Sequence, residues 1–142
     1  MDSKKFLMGT LVGGISFFLL GYLFYGVALM GFFTTHSTAP AGSIKAMGDF
    51  AWWALILGNL AGAALLTWIF LKLGSVRSFG SGFVTAATIG FFIALSWDLI
   101  SYATGNHLDL TGTFADVVVN ALLNGIVGGI IGVVLGMGAK KS

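Results

Sequence analysis

Four long apolar runs, over residues 6–33, 50–73, 79–103 and 114–138, constrain this chain more than any motif it carries. Each reaches the roughly 20 residues that an α-helix needs to cross a bilayer. In lipid every backbone N–H and C=O must be satisfied within the protein, so only helices and closed barrels span. None of the runs alternates apolar and polar residues as a barrel strand does. The expected fold is all-α: an integral membrane four-helix transmembrane bundle, forming a single transmembrane domain over residues 1–142.

Composition points the same way. Hydrophobic residues make up 57% of the chain and charged residues 8%, about a third of the charged fraction of a typical soluble protein. So few charges cannot coat a water-facing surface, which makes the lipid bilayer the principal partner. The formal charge of +2 is small and its lysines and arginine flank the apolar runs, so no nucleic-acid partner is implied. The absence of cysteine removes disulfides, thiolate nucleophiles and iron–sulfur clusters. Lys4 and Lys5 ahead of an apolar run, with Ala39-Pro40-Ala41 beyond it, imitate a signal peptide. That run is roughly twice the length of a signal-peptide core, so a retained membrane helix is expected.

Orientation follows from the loops. Lys4, Lys5, Lys72, Arg77, Lys140 and Lys141 fall on one side, and Lys45 alone on the other. By the positive-inside rule both termini are expected in the cytoplasm, with 34–49 and 104–113 facing outward. Trp52, Trp53 and Trp97 then mark the outer boundary and Trp68 the inner one. A faint repeat relates the first and third runs (Phe17-Phe18, Phe91-Phe92) and the second and fourth (Phe50-Ala51, Phe114-Ala115). Two hairpins of one orientation would give a pseudo-twofold along the membrane normal.

The fourth run carries a ladder at every fourth residue: Asp116, Asn120, Asn124, Gly128, Gly132, Gly136. Residues four apart stack along one ridge of a helix, so this ridge is polar in its first half and bare backbone in its second. Gly125 and Gly129 lie beside it, and the third run has its own ladder of Ser78, Gly82, Ala86, Gly90, Ala94 and Asp98. Small residues at this spacing let helices approach closely in lipid, so Gly82, Gly90, Gly125, Gly128, Gly129, Gly132 and Gly136 are the expected packing positions. The two ladders run antiparallel, small on the cytoplasmic half and polar toward the outside, which outlines a shallow outward-facing notch.

Asp98 is the most informative polar residue. It lies about one turn inside the outer end of its helix, facing the negative end of the helix dipole. An acid at that depth is costly and marks either a proton or cation site or a carboxylate reaching headgroup water. Asp116 opens the fourth run, where Thr113 three residues earlier completes the spacing of a capping box. Should Asp116 also approach Asp98, the two acids would share a proton more readily than both ionise. Asn59, Asn120 and Asn124 lie deeper. They are either interhelical glue or, with Asp98, the lining of a hydrated ligand or ion pathway whose wall Tyr22 and Tyr25 complete. His36 and His107 fall in outer loops, belong to no helical pair and are expected to be solvated, so no metal or cofactor is implied. No nucleophile elbow, phosphate loop or metalloprotease motif is present, and no catalytic constellation can be assembled.

The stretch Gly21-Tyr22-Leu23-Phe24-Tyr25-Gly26, and Trp97-Asp98-Leu99-Ile100 followed by a short loop and an aspartate-opened last helix, resemble small four-helix bacterial inner-membrane proteins of unknown function. The resemblance implies a four-helix membrane fold in the bacterial inner (plasma) membrane and no particular activity. The functional expectation is a small membrane protein that binds or translocates a cation, proton or small polar solute at an outward-facing site, as a homo-oligomer where transport is involved. The alternative is a structural or accessory subunit that packs against another membrane protein through its glycine ridges.

Overall fold

The computed structural model describes residues 1–137, so Gly138, Lys140 and Lys141 lie outside the described residues. Within these the chain is helical, with no strand: α1 (Ser3–Gly21), α2 (Met30–His36), α3 (Trp52–Leu73), α4 (Phe79–Thr104) and α5 (Leu110–Gly136). Four stretches, Ser3–Ala28, Trp52–Leu73, Phe79–Thr104 and Leu110–Gly136, are long and apolar enough to cross a membrane.

Local chemistry fixes most of the boundaries. Asp2 caps α1 by accepting from the Lys5 backbone N–H at 3.1 Å. α3 ends where Gly74 takes a left-handed conformation (φ 70°), the usual glycine stop. Ser78 and Ser81 then form a reciprocal capping box that starts α4.

Two boundaries depart from the sequence expectation. The predicted single helix over 6–33 is divided. After Gly21 the chain widens into π-helical turns over Tyr22–Ala28, breaks at Leu29 and restarts as the short α2. The Leu29 N–H bonds back to the Phe24 carbonyl at 2.8 Å, the five-residue spacing of a π turn. The last helix begins at Leu110 rather than 114, because Asp109 accepts the Gly112 N–H at 2.8 Å and serves as the cap. Asp116 is therefore no cap. It sits in the second turn of α5, facing inward.

α5 is the central element and buries the most residues of the helices. α4 packs along one side of it and α1 along another, while α3 packs on α1 and touches α5 only briefly. Because α4 makes no comparable contact with α3, the two hairpins are not related by the expected twofold. The tight core lies toward the end carrying Lys5, Lys72 and Arg77, where Ala63, Leu66 and Phe70 of α3 meet Val127, Ile131 and Leu135 of α5. This is called the basic end below, and the opposite one the loop end.

Between α4 and α5 the glycines stand where backbone meets backbone. A Cβ on Gly82 would fall on the Gly128 carbonyl oxygen, one on Gly128 on the Ala86 methyl, one on Gly132 on the Ser78 carbonyl oxygen and one on Gly136 on that of Arg77. Gly125 and Gly129 lie under the rings of Phe83 and Phe79, where a Cβ would come within 2.8 and 2.6 Å.

Candidate functional site

Toward the loop end the seam changes character. The ladder residues become too large for backbone contact and the helices hold a groove of about 250 Å³ between them. Gly90, Ile93, Ala94, Trp97 and Asp98 of α4 line one wall, and Asp116, Asn120 and Asn124 of α5 the other. Asp116 and Asn124 are eight residues apart on one ridge, so the polar strip extends about 12 Å along the helix at 1.5 Å per residue. Gly90 closes its deep end: a Cβ there would come within 2.6 Å of Asn124 Cβ.

The π-helical turns supply a third component. Tyr25 donates its hydroxyl hydrogen to Asp116 Oδ1 at 2.6 Å, and Asn120 Nδ2 donates to the Tyr25 hydroxyl oxygen at 3.0 Å and to Asp116 Oδ2 at 3.1 Å. Asn120 Nδ2 also lies 3.1 Å from its own helix's Asp116 carbonyl oxygen, and Asn124 Nδ2 donates to the Asn120 carbonyl at 2.9 Å. Both Asp116 oxygens and the Asn120 amide hydrogens are thus engaged, while Asn124 keeps one amide hydrogen free among the described residues.

Asp98 differs. Its Oδ2 is buried and has no hydrogen-bond partner among the described residues, although its carboxyl lies near enough to Asp116 for the two charges to interact. The side-chain carbonyl oxygens of Asn120 and Asn124 likewise accept no bond from any described residue. Among the described residues, no lysine, arginine or histidine lines the groove. Its uncommitted groups are mainly acceptors, with the Trp97 indole N–H and one Asn124 amide hydrogen beside them. Two carboxylates without a cationic partner suit a cation, a proton or a solute that brings N–H or O–H groups better than an anion.

Two predicted members stand elsewhere. Asn59 belongs to α3, which does not border the groove, and it donates to its own helix at the Leu55 carbonyl (2.7 Å). The sequence places it at a depth comparable to that of Asn124, but depth alone does not fix which neighbour a side chain meets. Tyr22 is 54% exposed and lies against Gly26 rather than beside Tyr25. Residues three apart share a face of an α-helix, and the wider π turn swings them apart.

One constellation has no trace in the sequence pattern. His36 Nδ1 lies 2.7 Å from Asp109 Oδ2, so His36 is not simply solvated. Around this pair Asp109 N–H donates to the His36 carbonyl at 2.9 Å and Thr38 N–H to that of His107 at 3.0 Å, with Ser37 bridged to Leu108. The strap ties the segment after α2 to the start of α5. The Gly112 backbone N–H first, and then the His36 ring, hold the Asp109 carboxyl below the usual carboxylate range. Asp109 gave no cap signal, since Leu110-Thr111-Gly112-Thr113 follows it, and its histidine partner lies 73 residues away.

No family model, curated protein or solved structure matches the chain. The resemblance to four-helix bacterial inner-membrane proteins therefore has no family match behind it. What stands is an all-helical chain with four apolar helices of spanning length.

Proposed function

We propose that this chain is a multi-pass protein of a bacterial inner membrane, its basic end cytoplasmic, that holds a cation, a proton or a small donor-bearing solute in the outward-facing groove between α4 and α5. One observation carries the reading: Asp98 Oδ2 is buried, unpartnered among the described residues and set in a groove that holds a second carboxylate, Asp116, and the free carbonyl oxygens of Asn120 and Asn124. An unsatisfied buried carboxylate oxygen is costly, and a bound cation or proton removes that cost. Asp98 is then the charged centre, and Asn120 and Asn124 offer carbonyl oxygens. Tyr25 holds the Asp116 carboxylate in place. Beyond Asn124 the seam closes backbone to backbone, so passage through the chain requires α4 and α5 to part or a second copy to contribute. The lysine and arginine bias supports the orientation, and the family resemblance supports the bacterial membrane.

The competing role, an accessory subunit docking through the glycine ridges, has to contend with their position: α4 and α5 use these ridges on each other. A partner would have to meet open small positions such as Gly58 and Gly80.

The test uses Trp97, which lines the groove. Its emission in reconstituted vesicles should respond to pH or to added monovalent and organic cations, and Asp98→Asn should abolish that response. Asn59→Leu should leave it intact. A response unchanged in Asp98→Asn removes the proposal.

A further inference from the structure

The second cavity lies at the opposite end, holds about 380 Å³ and is lined by Met1, Asp2, Lys5, Leu71, Lys72 and Arg77. Its cations come from three places in the chain: the first turn of α1, the last turn of α3 and the turn before α4. They converge for a structural reason. Lys5 Nζ donates to the Leu135 carbonyl at 3.4 Å and Arg77 Nη1 donates to the same oxygen at 2.9 Å, at the C-terminal end of α5. Carbonyls there lack partners within the helix and carry the negative end of its dipole. Arg77 Nε is spent on the Gly74 carbonyl at 3.2 Å. Lys72 lies with Nζ 5.9 Å from the Trp68 ring centroid.

That bonding does not exhaust the cluster. Arg77 Nη2, the remaining Lys5 hydrogens and the whole Lys72 ammonium make no hydrogen bond among the described residues. None of the three cations forms an ion pair there; the chain's described ion pair is His36–Asp109. Asp2, the one acid in the lining, is occupied in capping α1. The cavity is thus an arrangement in which three cations outnumber one carboxylate, open at the end of apolar helices and flanked by Leu71, Met1 and Trp68.

We propose that this cavity binds a phosphate-bearing anion, and that its source is the headgroup of an anionic phospholipid in the leaflet that the basic end faces. Arginine takes a phosphate by its planar fork, and lysines add point charge. Basic pockets between helices at the cytoplasmic boundary are suited to such headgroups. Leu71 and Met1 offer apolar surface to the glycerol and upper acyl chain. The assignment rests on the membrane reading and is independent of the Asp98 groove.

Trp68 provides the probe. In the full chain carrying Trp52→Phe, Trp53→Phe and Trp97→Phe, Trp68 is the sole tryptophan. Phosphatidylcholine vesicles containing a minor fraction of brominated phosphatidylglycerol should quench it more than the same fraction of brominated phosphatidylcholine does. Each neutralised cation should lower that preference about fivefold, the worth of one basic residue beside anionic lipid. Lys72→Gln and Arg77→Gln are the variants. Lys72 makes no hydrogen bond, so Lys72→Gln keeps the test decisive if the loss of Arg77 unfolds the turn. Preference for the anionic lipid that the variants lose supports the assignment. No preference, together with a Trp68 emission shift on adding inorganic phosphate that Lys72→Gln removes, overturns the lipid source in favour of free phosphate. No preference and no phosphate effect overturns the site.

Discussion

The groove at the loop end is dominated by carboxylate and carbonyl oxygens, and the cavity at the basic end by the N–H groups of three cations. Both lie along α5: the first is set by Asp116, Asn120 and Asn124 near its start, the second by the Leu135 carbonyl near its finish. The contrast teaches how a chain with only 8% charged residues distributes polarity. In lipid a polar group is tolerated only where another group or water meets it. Among the described residues, the stretch between the two cavities accordingly brings glycine, alanine, backbone carbonyls and the rings of Phe79 and Phe83 into the seam. The seam keeps the two chemistries apart. The halves also differ in packing, since the buried apolar core sits toward the basic end and the polar network toward the loop end.

The seam is the place to break the comparison most severely. Gly128→Ile would drive a branched side chain into the Ala86 methyl and the Gly82 carbonyl oxygen. Overpacking against backbone cannot relax through a rotamer, so a loss of about 3 kcal/mol or more is expected. Denaturant unfolding in mixed micelles measures it. Gly58→Ile, at a position with nothing within 4 Å, should change stability by less than about 0.5 kcal/mol. Equal effects at the two positions would show that the α4–α5 seam does not hold the cavities apart.

A second, smaller test separates the two acids of the groove. Asp116 receives the Tyr25 hydroxyl and the Asn120 amide. Asp116→Leu strands both donors and should cost about 2–3 kcal/mol. Asp98 Oδ2 has no partner among the described residues, and the side chain beside its carboxyl is another acid, Asp116, so removing Asp98 strands no donor. Asp98→Leu should cost nothing or stabilise the apo protein by about 1 kcal/mol, while abolishing the ligand response. If both substitutions destabilise alike, Asp98 belongs to the structural network and the groove has no ligand-ready acid.

How far these features were legible varies with the physics behind them. The spans of α3 and α4 follow from apolar length, Gly74 and Ser78, and the structure places them within two residues of the reading. The polar wall was legible because Asp116, Asn120 and Asn124 share a four-residue ridge that any helix register preserves. The start of α5 was not, since Leu110-Thr111-Gly112-Thr113 has the composition of a loop, yet Gly112 and Thr113 are buried there. The π winding after Gly21 leaves no compositional mark, and it decided that Tyr25 rather than Tyr22 meets Asp116. Asn59 stands apart for a topological reason, because α3 packs chiefly on α1 and does not line the groove.

The smallest expected effect belongs to the strap above the groove. The Asp109 carboxyl is held below the usual carboxylate range by the Gly112 N–H and then by His36. A depressed folded-state value means that the ionised cap favours the folded strap above the ordinary carboxylate range, about 3.9 for aspartate. That contribution fades as pH falls from there through the lower folded-state value. Asp109→Asn keeps a good capping side chain but removes the charge, so it should flatten this acid dependence without displacing the start of α5. Amide exchange at Gly112 and Thr38 reads the two sides of the strap, because Gly112 N–H is bonded to Asp109 itself and Thr38 N–H to the His107 carbonyl. Protection at both should fall together at acid pH in the native chain and vary less in Asp109→Asn. If Gly112 alone responds, Asp109 caps its helix without fastening the segment after α2. The two ends of the molecule would then differ further: two cations gathered on one carbonyl at the basic end, and a cap acting on its own helix at the other.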